Sequence, residues 1–160
     1  MARLHIPMEN PEFPNDYGWR TYNPGRLMSN ALRHFEDRVL ALMAEAGYAE
    51  TRRTHVNLTR HLDLEGTRIT DLAKRAGMTN AAMSELIDQC AALGLVERVA
   101  DPVDKRARIV RFTAKGLSWL LAFGKAVKQA EVEMAGRVGR KVLPELLHAL
   151  SAYVGNADQS

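Results

Sequence analysis

A chain of 160 residues, 46% hydrophobic and 26% charged, has the length and apolar content for one packed domain, which excludes a disordered or low-complexity protein. A single cysteine excludes an internal disulfide and no Cys/His spacing suits zinc, so the fold is expected to rest on packing, with no cofactor and no metal. The net charge of +3 suits a polyanionic partner; no apolar run reaches membrane-span length and the first residues lack a signal-peptide core, so the expected location is cytoplasmic and no membrane partner is expected.

In chain order, residues 1–24 set Pro7, Pro11, Pro14 and Pro24 among Phe13, Tyr17, Trp19 and Tyr22, which reads as an extended arm with apolar anchors. Over 25–46, Leu27, Ala31, Leu32, Phe35, Val39, Leu42 and Met43 recur at helical steps and predict a long amphipathic helix stopped by Gly47. A second helix is expected over 52–61, burying Val56, Leu58 or Thr59, and Leu62. Thr67 and Thr70 supply capping side chains for a short helix on Leu72, Ala73 and Ala76 that Gly77 ends. Thr79 caps the next helix, which carries the stripe Met83, Leu86, Ile87, Cys90 and Leu93 and stops at Gly94. Its other face holds Asn80, Ala81, Ser84, Glu85 and Asp88.

After Gly94 the pattern becomes that of a β-hairpin: one strand from Leu95 to Val99, a turn at Asp101-Pro102, and a second strand from Ala107 to Phe112 in which apolar and basic residues partly alternate. Thr113 caps a further helix, and 143–153 forms a last one, with Pro144 tolerable in its first turn. The expected fold is mainly α: a winged helix-turn-helix with about six helices and a two-stranded β-hairpin wing. The expected organisation is one domain over 1–160, with an arm and dimerisation helix in 1–46, the winged helix-turn-helix in 52–113 and C-terminal dimerisation helices in 114–160. The apolar stripes over 27–43 and 143–153 are too much surface for a small domain to leave uncovered, so they are expected to pair across a two-fold axis in a homodimer.

Two short helices joined by a glycine turn and followed by a two-stranded ribbon make a DNA-reading unit, because only the major groove admits an α-helix and displays a unique donor and acceptor code. Asn80 and Ser84 are expected to exchange hydrogen bonds with bases, Ala81 to touch a thymine methyl, and Thr79 with the helix N-terminus to hold a phosphate. The wing is expected to place Arg106 in the minor groove, braced by the charge-assisted hydrogen bond it donates to Asp104, while Lys105, Arg108 and Arg111, with Lys74 and Arg75, contact phosphates. The bland alternative for the hairpin is an edge strand whose charges only block aggregation, and winged helices also serve as protein-interaction modules without specific DNA binding. Neither a phosphate loop, a nucleophile elbow nor a zinc motif is present, so no enzymatic activity is expected. Cys90 lies on the apolar stripe and reads as a buried small hydrophobe rather than a redox switch.

The run GTRITDLAKRAGMTNAAMSELIDQCAALGLVERVADPVDKRARIVRFTAKG resembles the signature of the MarR family of bacterial transcription regulators: a helix-turn-helix, a G-L-V-x-R strand, a D-P-x-D-x-R wing and a helix-opening exit. That resemblance implies a homodimer on a pseudo-palindromic operator, in most cases a repressor released by a small aromatic or phenolic ligand. It also implies a cavity between the dimerisation helices and the winged unit, for which Tyr17, Trp19, Arg20, Tyr22, His34, Met43, Arg53 and His55 are the candidates; the same aromatics read equally well as a seal for the dimer. The recognition helix departs from the family pattern, since it holds Glu85 and Asp88 and no Lys or Arg. An acid there either accepts from cytosine or repels the DNA backbone.

Overall fold

The computed structural model describes residues 17–155, which fall into two compact units divided between Phe35 and Glu36. The part of the expected arm holding Pro7, Pro11, Phe13 and Pro14 lies outside the described residues, as do residues 156–160.

In the first unit, residues expected to be extended instead form a 3-10 turn, Gly18–Arg20. The cause is local hydrogen bonding by Asn23. Its Nδ2 donates to the Trp19 carbonyl at 2.6 Å and its Oδ1 accepts from the Arg26 N–H at 3.0 Å. Asn23 thereby ties the turn to the start of helix α1 (Pro24–Glu45) and satisfies one of its orphan donors. Pro24 occupies the first helical position, where its missing N–H has no partner to lose.

In the second unit α1 continues to Glu45, with Val39 and Met43 buried. Helix α2 (Arg53–His61) follows, then strand β1 (Thr67–Arg68), helices α3 (Ile69–Ala76) and α4 (Asn80–Ala92), strands β2 (Val96–Ala100) and β3 (Arg108–Phe112), and helices α5 (Ala114–Val138) and α6 (Val142–Tyr153). The chain is thus mainly helical, with six α-helices among the described residues. The hairpin β2–β3 pairs Val96 with Phe112, Arg98 with Val110 and Ala100 with Arg108. On the other edge of β3, β1 adds a short third strand, Thr67 opposite Val110, giving the order β1-β3-β2. Two residues are too few to show a strand periodicity, so the sequence reads only the hairpin.

Helix α3 departs from its expected start. It begins at Ile69 after Arg68, with no side-chain cap, because Thr67 Oγ1 accepts instead from the Asp63 N–H at 2.9 Å and closes the preceding turn. Its end is as expected: Gly77 adopts the left-handed conformation, φ 64°, and the Met78 N–H reaches back to the Ala73 carbonyl at 2.9 Å.

The core of this unit lies where α2, α3 and α4 meet the sheet, on Leu58, Leu72, Met83, Ile87 and Val110, all fully buried. Cys90 lies in this core, and desolvation pushes its thiol up to about 11, so it stays protonated and packs as an apolar group. Trp119 of α5 is also buried; its indole N–H donates to Thr51 Oγ1 at 2.9 Å and its ring stacks on Phe123 at 5.0 Å. The first turn of α5 lies hard against Leu95, the residue before β2, and Thr113 Oγ1 caps that turn by accepting from the Gly116 N–H at 3.0 Å. A Cβ on Gly116 would stand 1.9 Å from the Leu95 carbonyl oxygen, so only glycine permits this approach. Arg38 of α1 donates two hydrogen bonds to Glu133 of α5, at 2.7 and 2.9 Å, which hold that carboxylate down at about 2.

Candidate nucleic-acid interface

Helix α4 is built to stand on the core by one face. Met83, Leu86, Ile87 and Cys90 are buried, and Asn80, Ala81, Glu85 and Asp88 are exposed, as the 3.6-residue period requires. Thr79 precedes it in extended conformation and its Oγ1 accepts from the Ala82 N–H at 3.1 Å. The remaining N–H groups of the first turn face outward beside Asn80, a ready anion-binding end.

Ser84 and Asp88 are not free readers of bases. Arg98, projecting from β2, donates to Asp88 Oδ1 at 2.6 Å, to the Ser84 carbonyl at 3.0 Å and to Ser84 Oγ at 3.2 Å. One guanidinium therefore fastens the wing's first strand to the outer face of α4 and neutralises one of its two acids. The Ser84 hydroxyl accepts from Arg98 and retains its own proton for donation.

The wing turn is held at its base by Asp101, whose side chain is buried although charged. Its Oδ1 accepts from the Val103 N–H at 2.9 Å and its Oδ2 accepts from Arg68 Nε at 2.8 Å and Nη2 at 2.7 Å. The backbone bond from Val103 and then the Arg68 guanidinium hold the Asp101 carboxyl below the usual carboxylate range. Arg68 lies at the junction of β1 and α3, so this pair links the base of the wing to the start of the helix-turn-helix.

The expected side-chain brace between Asp104 and Arg106 takes another form. Asp104 Oδ1 accepts from the backbone N–H of Arg106 at 3.1 Å, an Asx turn that shapes the tip and leaves the guanidinium out of the bond. Lys105, Arg106 and Arg108 are exposed and have no carboxylate partner among the described residues, and the same holds for Lys74. Two other expected phosphate contacts are already engaged: Arg111 donates to Glu97 across the strand pair at 2.8 Å, and Arg75 donates to Asp63 and to the His61 carbonyl, each at 2.9 Å. Both pairs are solvent-exposed and exchange partners at little cost.

Arg68, Arg98 and Asp101 are not among the site residues expected from the sequence, although Asp101 opens the expected turn and Arg98 closes the G-L-V-x-R run. Asp101-Pro102 shows there as a turn, but a carboxylate accepting two residues onward is a legible Asx signal. Arg98 and Arg68 carry no local signal, since their partners lie 10 and 33 residues away.

The effector candidates divide between the two units. In the first, Tyr17, Trp19, Arg20, Tyr22 and His34 are exposed. In the second, Met43 is fully buried, and His55 is buried with Nδ1 accepting from the Arg52 N–H at 3.1 Å, which caps α2. Burial and then the Arg52 charge lower the affinity of His55 for a proton, so the ring stays neutral and keeps this acceptor. Arg53 is paired with Glu36 at 3.1 Å and with Asp37, while Arg60 shares Glu36 at 2.7 Å. A groove of about 540 Å³ lies instead on other residues: Leu42 of α1 and Ala46 just after it, with Ser118, Leu121, Ala122, Lys125, Ala126 and Gln129 of α5.

Residues 56–107 match the sequence model of the MarR family. No curated protein matches the chain by sequence. Among solved structures, the fold is similar to that of the transcriptional repressor CouR bound to a 23-mer DNA duplex, with a TM-score of 0.66 at 21% identity, covering 86% of this chain and 96% of that one. It is similar to CouR from Rhodococcus jostii RHA1 bound to p-coumaroyl-CoA, with a TM-score of 0.66 at 19% identity over 88% and 95% of the two chains. Wild-type MarR from E. coli in its apo form gives a TM-score of 0.67 at 18% identity, over 82% and 97%.

Proposed function

We propose, from a winged helix-turn-helix whose residues 56–107 match the MarR family, that this chain is a MarR-type sequence-specific double-stranded DNA-binding transcriptional repressor. The observation that carries the reading is the wing tip. Lys105, Arg106 and Arg108 are exposed without carboxylate partners, on a turn shaped by Asp101 and Asp104 and fastened to the reading helix through Arg98. An edge strand that only blocked aggregation has no need of that scaffolding. Arg106 enters the minor groove, Lys105 and Arg108 with Lys74 hold phosphates, and Asn80, Ala81 and Ser84 meet base edges while Thr79 and the helix end hold a phosphate. Arg75 and Arg111 join the phosphate contacts by leaving Asp63 and Glu97.

The working form is a homodimer on a pseudo-palindromic operator. Leu146, Leu147, Leu150 and Tyr153 of α6 are exposed, Tyr153 at 80%, an apolar stripe that a second copy would cover. A two-fold axis there sets the two reading helices about 34 Å apart, one turn of DNA.

A small aromatic acid or phenolic compound relieves repression. CouR in complex with p-coumaroyl-CoA shows an aromatic acyl ligand on this fold. In this chain the α1–α5 groove offers apolar walls with Lys125 at hand for a carboxylate, while the Gln129 amide already donates to Glu133 at 3.2 Å, and the groove's volume suits a small ligand. Arg53 and His55 are committed to Glu36 and to the α2 cap, so a ligand has to displace those bonds to use them. A domain organisation of 1–46, 52–113 and 114–160, with the outer parts serving dimerisation, completes the reading.

Titration of the purified protein against random-sequence duplexes, followed by sequencing of the retained DNA, tests the central claim. The expected result is an enriched inverted repeat whose affinity falls steeply with salt. No enrichment and no salt dependence would leave a protein-interaction module as the better reading. A thermal-shift screen with small aromatic acids tests the effector: a ligand that binds the folded state raises the melting temperature.

A further inference from the structure

Once α4 lies in a major groove, the centre of its outward face decides which base pair it tolerates. At about 100° per residue, the buried Met83, Leu86, Ile87 and Cys90 point one way, and Ala81, Glu85 and Asp88 stand opposite them. Ala81 has no polar side-chain atom, and Asp88 is taken by Arg98 at 2.6 Å. Glu85 is exposed, one helical turn beyond Ala81, and has no cation or donor partner among the described residues. It is therefore the one acid at the centre of this face that Arg98 leaves uncompensated.

A carboxylate carried between two rows of phosphates weakens binding unless a donor meets it. Two bases offer amino donors in the major groove, adenine at N6 and cytosine at N4. Adenine places its N7 acceptor beside the amino group and so opposes a second carboxylate oxygen; cytosine presents the donor without that acceptor. We infer that Glu85 is a specificity-determining residue, whose carboxylate accepts a hydrogen bond from a cytosine N4 amino group and so selects a C·G pair in each half-site. This rests on the DNA-binding reading above and adds the base that the helix reads.

Selection from random duplexes with wild type, Glu85→Ala and Glu85→Gln tests it, each variant being checked by its melting curve. Wild type is expected to prefer C·G at one position per half-site by roughly five- to 150-fold over the other pairs. Glu85→Ala loses the preference at that position alone, and Glu85→Gln moves it toward A·T. Replacing the selected cytosine by 2-pyrimidinone, which lacks the 4-amino group, weakens wild type and leaves Glu85→Ala unchanged. A Glu85→Ala protein with every base preference intact, or one that binds all duplexes more tightly by the same factor, overturns the inference and leaves a merely repulsive acid. A wild-type protein that selects no sequence overturns the DNA-binding reading itself, and this inference with it.

Discussion

The recognition helix and the wing are neighbours in the chain and opposites in charge. The exposed face of α4 carries Asn80, Ala81, Glu85 and Asp88 and no cation, whereas Lys105, Arg106 and Arg108 crowd the wing. Arg98 belongs to the wing strand but is spent on the helix, where it cancels Asp88. The contrast separates two tasks that many DNA-binding helices combine. On the proposed DNA-binding reading, attraction to the phosphates, with its salt dependence, falls to the wing, and base choice falls to a helix with little electrostatic pull of its own.

The strongest way to break this comparison is to discharge the wing. The triple variant Lys105→Ala, Arg106→Ala, Arg108→Ala is expected to abolish operator binding at physiological salt while its melting temperature stays near that of wild type. Arg106→Ala alone is expected to lose roughly five- to 150-fold in operator affinity, the range of a single good groove contact. Direct titration at several salt concentrations checks both, and an unchanged salt slope in the triple variant would return the main attraction to the helix. Each lost phosphate contact should flatten that slope by about one unit.

A smaller effect is expected from Arg98→Ala, which uncovers Asp88 and unfastens β2 from α4. Asp88 is mostly exposed and its charge is partly screened, so the loss is expected to be about 1.5- to fivefold in affinity. Removing the acid as well, in Arg98→Ala with Asp88→Ala, should recover part of it; no recovery would mean that Arg98 acts through the Ser84 bonds instead.

The smallest effect concerns the base of the wing. The Asp101 carboxyl titrates below its ordinary value because the Val103 N–H and Arg68 stabilise the charged form. A group whose folded value is depressed contributes its full stability above the unfolded value of about 3.9, and loses it as the pH falls through the lower folded value. Asp101→Asn should therefore be less stable than wild type at neutral pH, with the gap closing below about pH 4. Melting curves across that range check it, and a gap independent of pH would assign the stability to shape alone.

Much of this was legible along the chain because the signals are local. Thr79 and Thr113 cap the helices they precede, Gly77 ends α3, and the alternation near Ile109 marks a strand. These depend on hydrogen bonds spanning three or four residues and on periodicity, both written in neighbouring side chains. The third strand β1 was not legible, since Thr67 and Arg68 pair only because β3 presents an edge to them. Nor was the change of role at Asp104, where a carboxylate that attracts a guanidinium in sequence meets a nearer backbone N–H in the folded turn.

The sequence by itself thus determined the helix-turn-helix, the hairpin, the surplus of charge on the wing and the acids on the reading helix. Tertiary structure alone decided which of those charges remain available. Arg98 reaches Asp88 and Ser84, Arg68 reaches Asp101, and Arg53 reaches Glu36, each across separate elements. Whether a charge is spent or free depends on distances within a few ångströms, which only the packing of helices against the sheet sets. That is why the composition showed a basic wing beside an acidic helix, while the fold was needed to single out Glu85 between them.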